Sequence, residues 1–213
     1  MENGYSSFAE LQQNEKENTD YSITAFHRNP EIAIFAIHGG NIEPGTSEVA
    51  FALGERLHSS TYLFEGHKRR DNSKLHITST SFDEPTAILM ANNAKIILSI
   101  HGYRDSNEAL IYMGGRNETY KHVIQVALKE SGFQTAEAPK HLLGMNENNI
   151  TNRCKTGAGV QLEISRTLRK HFFLDSDLKR TNRHNQTEVL NQFISALEKA
   201  TIHYMLNLNK KQF

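Results

Sequence analysis

A single α/β domain, built on a mixed but mostly parallel sheet flanked by helices, is the fold class this sequence predicts. Two continuous apolar runs of strand length, Ile32–Ile37 and Lys95–Ile100, read as strands covered on both faces. Helical periodicities fall between the candidate strands, which argues for α/β organisation. The chain has 213 residues, enough for one domain with a substantial core, and neither a proline-rich linker nor an internal repeat divides it.

The elements follow in chain order. Residues 1–20 are polar and read as a loose N-terminal segment; the domain is expected over 21–208, with a short basic tail at 209–213. Ile32–Ile37 forms the first strand. Val49, Leu53 and Leu57 recur at a helical spacing after Ser47, a plausible N-cap. Thr61–Phe64 is a further strand. Asp83-Glu84-Pro85 opens a helix to about Asn92, because proline is tolerated in a first turn. Lys95–Ile100 is the next strand. Glu118–Ser131 carries Val123, Ile124, Ala127 and Leu128 on a helix that Gly132 ends. Gly159–Ser165 alternates, with Val160, Leu162 and Ile164 on one face and Gln161 and Glu163 on the other. The last helix runs from about Thr187 to Asn207, with Leu190, Phe193, Ile194, Leu197 and Met205 turned to the core.

Composition narrows the function. Lysine plus arginine total 24 and aspartate plus glutamate total 24, so the basic excess of a general nucleic-acid binder is missing. A local basic groove for an acidic ligand remains compatible with that balance. No apolar run approaches the ~20 residues that span a bilayer. The first twenty residues lack the apolar stretch of a signal peptide, so cytoplasmic synthesis is expected. Cys154 stands alone, which excludes a disulfide within the chain and a thiolate-rich zinc site. A bound metal would therefore take nitrogen and oxygen ligands, and eleven histidines are the obvious supply.

Ligands of open α/β sheets bind outside the carboxyl ends of the strands. Both apolar runs end there on a histidine followed by glycine: His38 in Ala-Ile-His-Gly-Gly and His101 in Ser-Ile-His-Gly-Tyr. The glycine is expected to let the backbone turn and to leave room for a substrate. Glu43 lies five residues beyond His38 in a glycine-rich loop, and Pro44 biases it towards an extended backbone. Two histidines and a carboxylate match an open catalytic zinc site whose fourth position holds water of pKa ~7. Glu163, on the polar side of its strand, is the candidate base. Glu48 rivals Glu43, although a first-turn dipole role accounts for it equally well. His76, in Leu75-His76-Ile77, reads as a half-buried strand histidine that could touch substrate. The remaining eight histidines fall in loops or on helix faces and read as solvated. Arg104, Arg116 and Arg153 lie close in sequence to these elements and could grip carboxylates, although an exposed ion pair explains each one alone. Lys68-Arg69-Arg70 reads as a solvated charge run, and Cys154 has no evident base partner.

Several segments together resemble one family. They are His38-Gly-Gly-Asn-Ile-Glu43-Pro-Gly-Thr-Ser-Glu48, Leu75-His76 through Pro85, His101-Gly-Tyr103, Gly114-Gly115-Arg116-Asn117, Asn149 through Cys154, and Gly157 through Ser165. In order and spacing they resemble the poly-γ-glutamate hydrolases of Bacillus and its phages, over roughly Tyr21 to Tyr204. Ile37 departs from the proline common before the first histidine, which leaves the ligand set intact.

The resemblance implies a fold similar to zinc carboxypeptidases and one zinc ion on His38, Glu43 and His101. It also implies Glu163 as the catalytic glutamate and a γ-linked glutamate capsule as substrate. Such a polymer carries a carboxylate on every unit, so Arg104, Arg116, Arg153 and His76 are the residues expected to bind it. Neither nucleic acid nor membrane is an expected partner, and a monomer is the favoured state. Release at host lysis is the expected route to an extracellular polymer. Two other readings stay open: a peptidase or amidase for other γ- or α-linked peptides, and a non-catalytic binder of acidic polymer.

Overall fold

The computed structural model describes residues 4–104 and 107–210. Seven strands form one sheet: β1 (Tyr21–Phe26), β2 (Asn29–Gly40), β3 (Ser59–Gly66), β4 (Ile96–Tyr103), β5 (Leu110–Gly114), β6 (Gln134–Glu137) and β7 (Val160–Ser165). Their order is β1-β3-β2-β4-β7-β5-β6. The four central strands β3, β2, β4 and β7 run parallel, while β1 and β5 run against them. The carboxyl ends of the central four therefore open on one edge, the place where a parallel sheet offers a binding crevice.

Each face of the sheet is covered. On one side lie α2 (Thr46–Leu57), α4 (Glu118–Glu130), α5 (Arg166–His171) and α6 (Glu188–Lys210). Ile34, Leu98, Leu162 and Ile164 meet Val49, Leu53, Ile124 and Phe193 there. On the other side lie α1 (Phe8–Asn14) and α3 (Pro85–Asn93), against Phe35, Ile37, Phe64 and Ile97. Burial on two faces explains why β2 and β4 read as unbroken apolar runs. Among the described residues no helix is long and apolar enough to cross a membrane.

Four expectations are revised. Residues 1–20 are not loose throughout: α1 buries Phe8 and Leu11, and Ser7 caps it by accepting from Glu10 N–H. Two apolar anchors in a polar stretch escape a composition reading but suffice to dock seven residues. The N-cap of α2 is Gly45, at φ 100°, and not Ser47; the Ser47 hydroxyl instead accepts from Gly40 N–H at 3.1 Å. Lys68 is not solvated, because its ammonium grips both Glu15 oxygens at 2.6 and 2.7 Å. The last helix continues to Lys210, so part of the tail is helical. The edge strands β1 and β6, the strand β5 between β7 and β6, and the short α5 go beyond the elements anticipated.

Candidate active site

His38 sits near the end of β2, buried, where a β-bulge decides its direction. Ala36 pairs with Leu63 and Gly39 with Glu65, so three steps along β2 match two along β3. A bulge of that kind places successive side chains on one face and re-aims the second. Ile37 joins the core on the α1–α3 side, and His38 faces the same side, where its Nε2–H donates to Ile77 O at 2.7 Å. With the proton on Nε2, the Nδ1 lone pair is left for the site.

Glu43 reaches that nitrogen from the loop after β2. Its backbone N–H donates to His38 O at 2.8 Å, which closes the loop back on the strand. One carboxylate oxygen lies 3.2 Å from His38 Nδ1; the other accepts from Gly102 N–H at 2.8 Å. His101, buried on β4, points Nδ1 at the same spot, 3.2 Å from His38 Nδ1 and 3.7 Å from Glu43 Oε2. Two nitrogen atoms and a carboxylate thus surround one point. Ligands of a tetrahedral zinc with bonds of ~2.0–2.1 Å stand about 3.3 Å apart, so the three residues fit such an ion.

The electrostatics ask for a cation at that point. Burial alone would raise the Glu43 carboxyl, but His38 and His101 beside it hold it well below the usual carboxylate range. Burial alone would lower His101, yet the Glu43 hydrogen bond and the Glu163 charge raise it. His101 Nε2 is buried without a hydrogen-bond partner among the described residues.

His76 is a fourth member of this cluster. It lies in the loop after the 3-10 turn Asn72–Leu75 and not on a strand. Its ring stacks on His38 at 3.8 Å, and its Nε2 is 3.8 Å from Glu43 Oε1. His38, Glu43 and His76 also form a group close enough to hold a metal. The His38 and His76 rings are stacked at 28°, the His38 and His101 rings stand at 66°, and the Nδ1 atoms of His38 and His101 approach to 3.2 Å, so the cluster offers two ligand sets around His38 and Glu43. The His38 ring beside it and burial hold His76 down at about 3, which favours a neutral hydrogen-bonding group.

Glu163 is the β7 partner of His101 in the parallel ladder. It is buried, and Gln161 Nε2 donates to its Oε1 at 2.7 Å. Gln161 Oε1 in turn accepts from Asn149. Burial pushes the Glu163 carboxyl up to about 7, against the lowering pull of His101, with Glu43 adding to the rise. A carboxylate poised there can both take and return a proton near neutral pH.

The arginines divide. Arg104 is exposed just beyond β4, at the edge that carries His101. Arg153 ends the turn Ile150–Asn152; Thr151 in this turn bonds Ser99, two residues before His101, on the same face. Arg153 Nε donates to Asn148 O. Arg116 lies elsewhere. β5 runs antiparallel to β7, Gly114 pairs with Gln161, and Gly115 backs onto Gly159. Arg116 thus stands at the edge where β7 begins, opposite the histidine cluster. Glu48, the rival ligand, is engaged by Arg183 Nε at 2.6 Å. A cavity of about 510 Å³ between α1, β1 and α3, lined by Phe8, Glu17, Ile23 and Glu84, includes none of these site residues. Arg169, which no motif singled out, is buried behind the site and bonds Ile164, Pro44 and Tyr103.

Comparison with known proteins adds to this geometry. Residues 5–196 match the poly-γ-glutamate hydrolase family. The UPF0714 protein YndL of Bacillus subtilis is 40% identical over 179 residues, covering 81% of this chain and 68% of YndL. A bacteriophage poly-γ-glutamate hydrolase superposes with a TM-score of 0.92 at 35% identity, over 94% of this chain and 97% of its own. A zinc-free structure of YndL superposes at 0.86 and 36% identity, over 92% of this chain and 96% of its own.

Proposed function

Since the chain belongs to the poly-γ-glutamate hydrolase family, we propose that it cleaves the γ-glutamyl amide bonds of poly-γ-glutamate with one zinc ion held by His38, Glu43 and His101. The observation that carries this is the convergence of two Nδ1 atoms and a carboxylate within 3.2–3.7 Å, beside Glu163 on the next strand. The zinc-free description of the similar YndL structure supports zinc as the metal. Zinc there would polarise the amide carbonyl and lower the pKa of a water molecule.

The remaining work falls to the chain. Glu163 takes the proton of the attacking water and passes it to the leaving nitrogen, so that the amide departs as an amine. Gln161 keeps the carboxylate turned towards the cluster. His76, neutral and on the more open side, donates to or accepts from the bound amide. Arg104 and Arg153 are the cations we assign to substrate carboxylates; guanidinium pairs with carboxylate through two parallel hydrogen bonds. The opposite-edge position of Arg116 leaves it out of that set.

The test combines metal analysis with polymer viscosity. Purified protein should bind about one zinc per chain and lower the viscosity of poly-γ-glutamate, and Glu163→Gln should keep the zinc and lose the activity. Wild-type rates in Glu163→Gln would overturn the mechanism. Equal rates on α-linked polyglutamate would overturn the substrate assignment.

A further inference from the structure

Arg169 is 3% exposed on α5, and its guanidinium ties together three segments distant in sequence. Its Nε–H donates to Ile164 O at 3.1 Å, one terminal nitrogen to Pro44 O at 2.6 Å, and the other to Tyr103 O at 3.0 Å. Ile164 follows Glu163 directly. Pro44 follows Glu43 directly. Tyr103 is two residues past His101. One planar group thus grips the backbone beside the candidate base and beside two of the three candidate metal ligands.

Gly102 makes room for it, and Gly45 lies against its aliphatic stem. A Cβ on Gly102 would stand 2.5 Å from Arg169 Cζ and 2.6 Å from Nε. That space behind the second histidine is filled by the guanidinium, where the sequence suggested room for substrate. Gly45 is in the left-handed region at φ 100°, and a Cβ there would meet Arg169 Cβ at 3.4 Å.

We propose that Arg169 is the positioning residue of this site: it sets the separations among Glu43, His101 and Glu163 through their backbones. The proposal rests on the zinc reading above. A guanidinium offers five N–H groups in a fixed fork, whereas lysine offers a rotating point charge. Three carbonyls held by one rigid plane cannot drift independently. Groups that orient metal ligands from behind are worth 10–100-fold in metal affinity or activity. A misplacement of about 1 Å at the reacting centre can cost 10²-fold in rate.

The test compares wild type, Arg169→Gln, Arg169→Lys and Leu168→Ala, each as the full chain. Leu168 is a buried neighbour on α5 whose loss weakens that helix without touching the three carbonyls, so it reports a merely structural effect. Zinc affinity is read by chelator competition, and kcat and KM on poly-γ-glutamate at saturating zinc. The expected result for Arg169→Gln is zinc binding weakened about 10–100-fold. Its kcat should fall by a similar factor, with KM within about threefold. Arg169→Lys should recover little, and Leu168→Ala should lose melting temperature only. Wild-type zinc affinity and kcat in folded Arg169→Gln overturn the proposal, as do equal losses in Leu168→Ala. If Arg169→Gln does not fold, Arg169→Lys or Gly102→Ala is judged by the same limits. If neither of those folds, Arg169 is a stability residue and the proposal falls. Failure of the zinc reading is visible separately, as a wild type that takes up no zinc.

Discussion

Glu163→Gln should stabilise the metal-free protein, and the gain should grow with pH. Glu163 is 4% exposed, and burial raises its carboxyl from 4.5 to about 7. Folding therefore favours the protonated form. Stability from this group is complete below the unfolded value, and it is lost as pH rises through the folded value. Between pH 5 and pH 8 the loss amounts to roughly 2–3 kcal/mol at 1.36 kcal/mol per unit. Glutamine has the same shape, still accepts the Gln161 hydrogen bond and carries no charge, so the variant escapes the penalty. For a chain of this size, 1 kcal/mol moves the melting temperature by about 2–4 °C. Thermal unfolding in chelator should thus show a variant advantage at pH 8 that exceeds the advantage at pH 5 by roughly 5–10 °C. Added zinc should shrink the difference, because a cation beside Glu163 favours its ionised form. An advantage equal at both pH values would refute the buried, proton-holding Glu163 described above.

Three further outcomes follow from the geometry. Arg104→Ala should raise KM on poly-γ-glutamate several-fold while Arg116→Ala leaves it unchanged; steady-state kinetics of the two variants check the edge assignment, and a larger effect at Arg116 would contradict it. His76→Ala should retain about one zinc per chain with reduced kcat, whereas His101→Ala should lose the metal; elemental analysis decides between the two ligand sets. Leu11→Ala, which empties a fully buried site on α1, should cost about 2–5 kcal/mol in denaturant unfolding; a wild-type midpoint would mean that α1 does not contribute to the fold.

The placement of Arg116 shows how far local sequence reaches. Gly114-Gly115-Arg116 looks like a strand end beside a site, and it is a strand end. Whether that end faces the histidines depends on the direction of β5 relative to β7, and strand polarity is a property of the pair, not of five residues. His76 posed a similar difficulty. Its neighbours Leu75 and Ile77 are both fully buried, which mimics strand alternation, although the segment is a loop held over His38.

What the sequence determined by itself was the chemistry available and where it would gather. Apolar runs that end on histidine at positions 38 and 101, a glycine-rich loop to Glu43 and an alternating strand with Glu163 carry that information in residue types and short spacings. What only the tertiary structure decided was direction and restraint. The bulge that turns His38 onto the face of His101 exists only against β3, because it is a mismatch between two strands. Arg169 acquires its role only where Pro44, Tyr103 and Ile164 meet, at separations of up to 125 residues. Hydrogen bonds that close over such distances leave no period and no motif in the chain; they are set by packing.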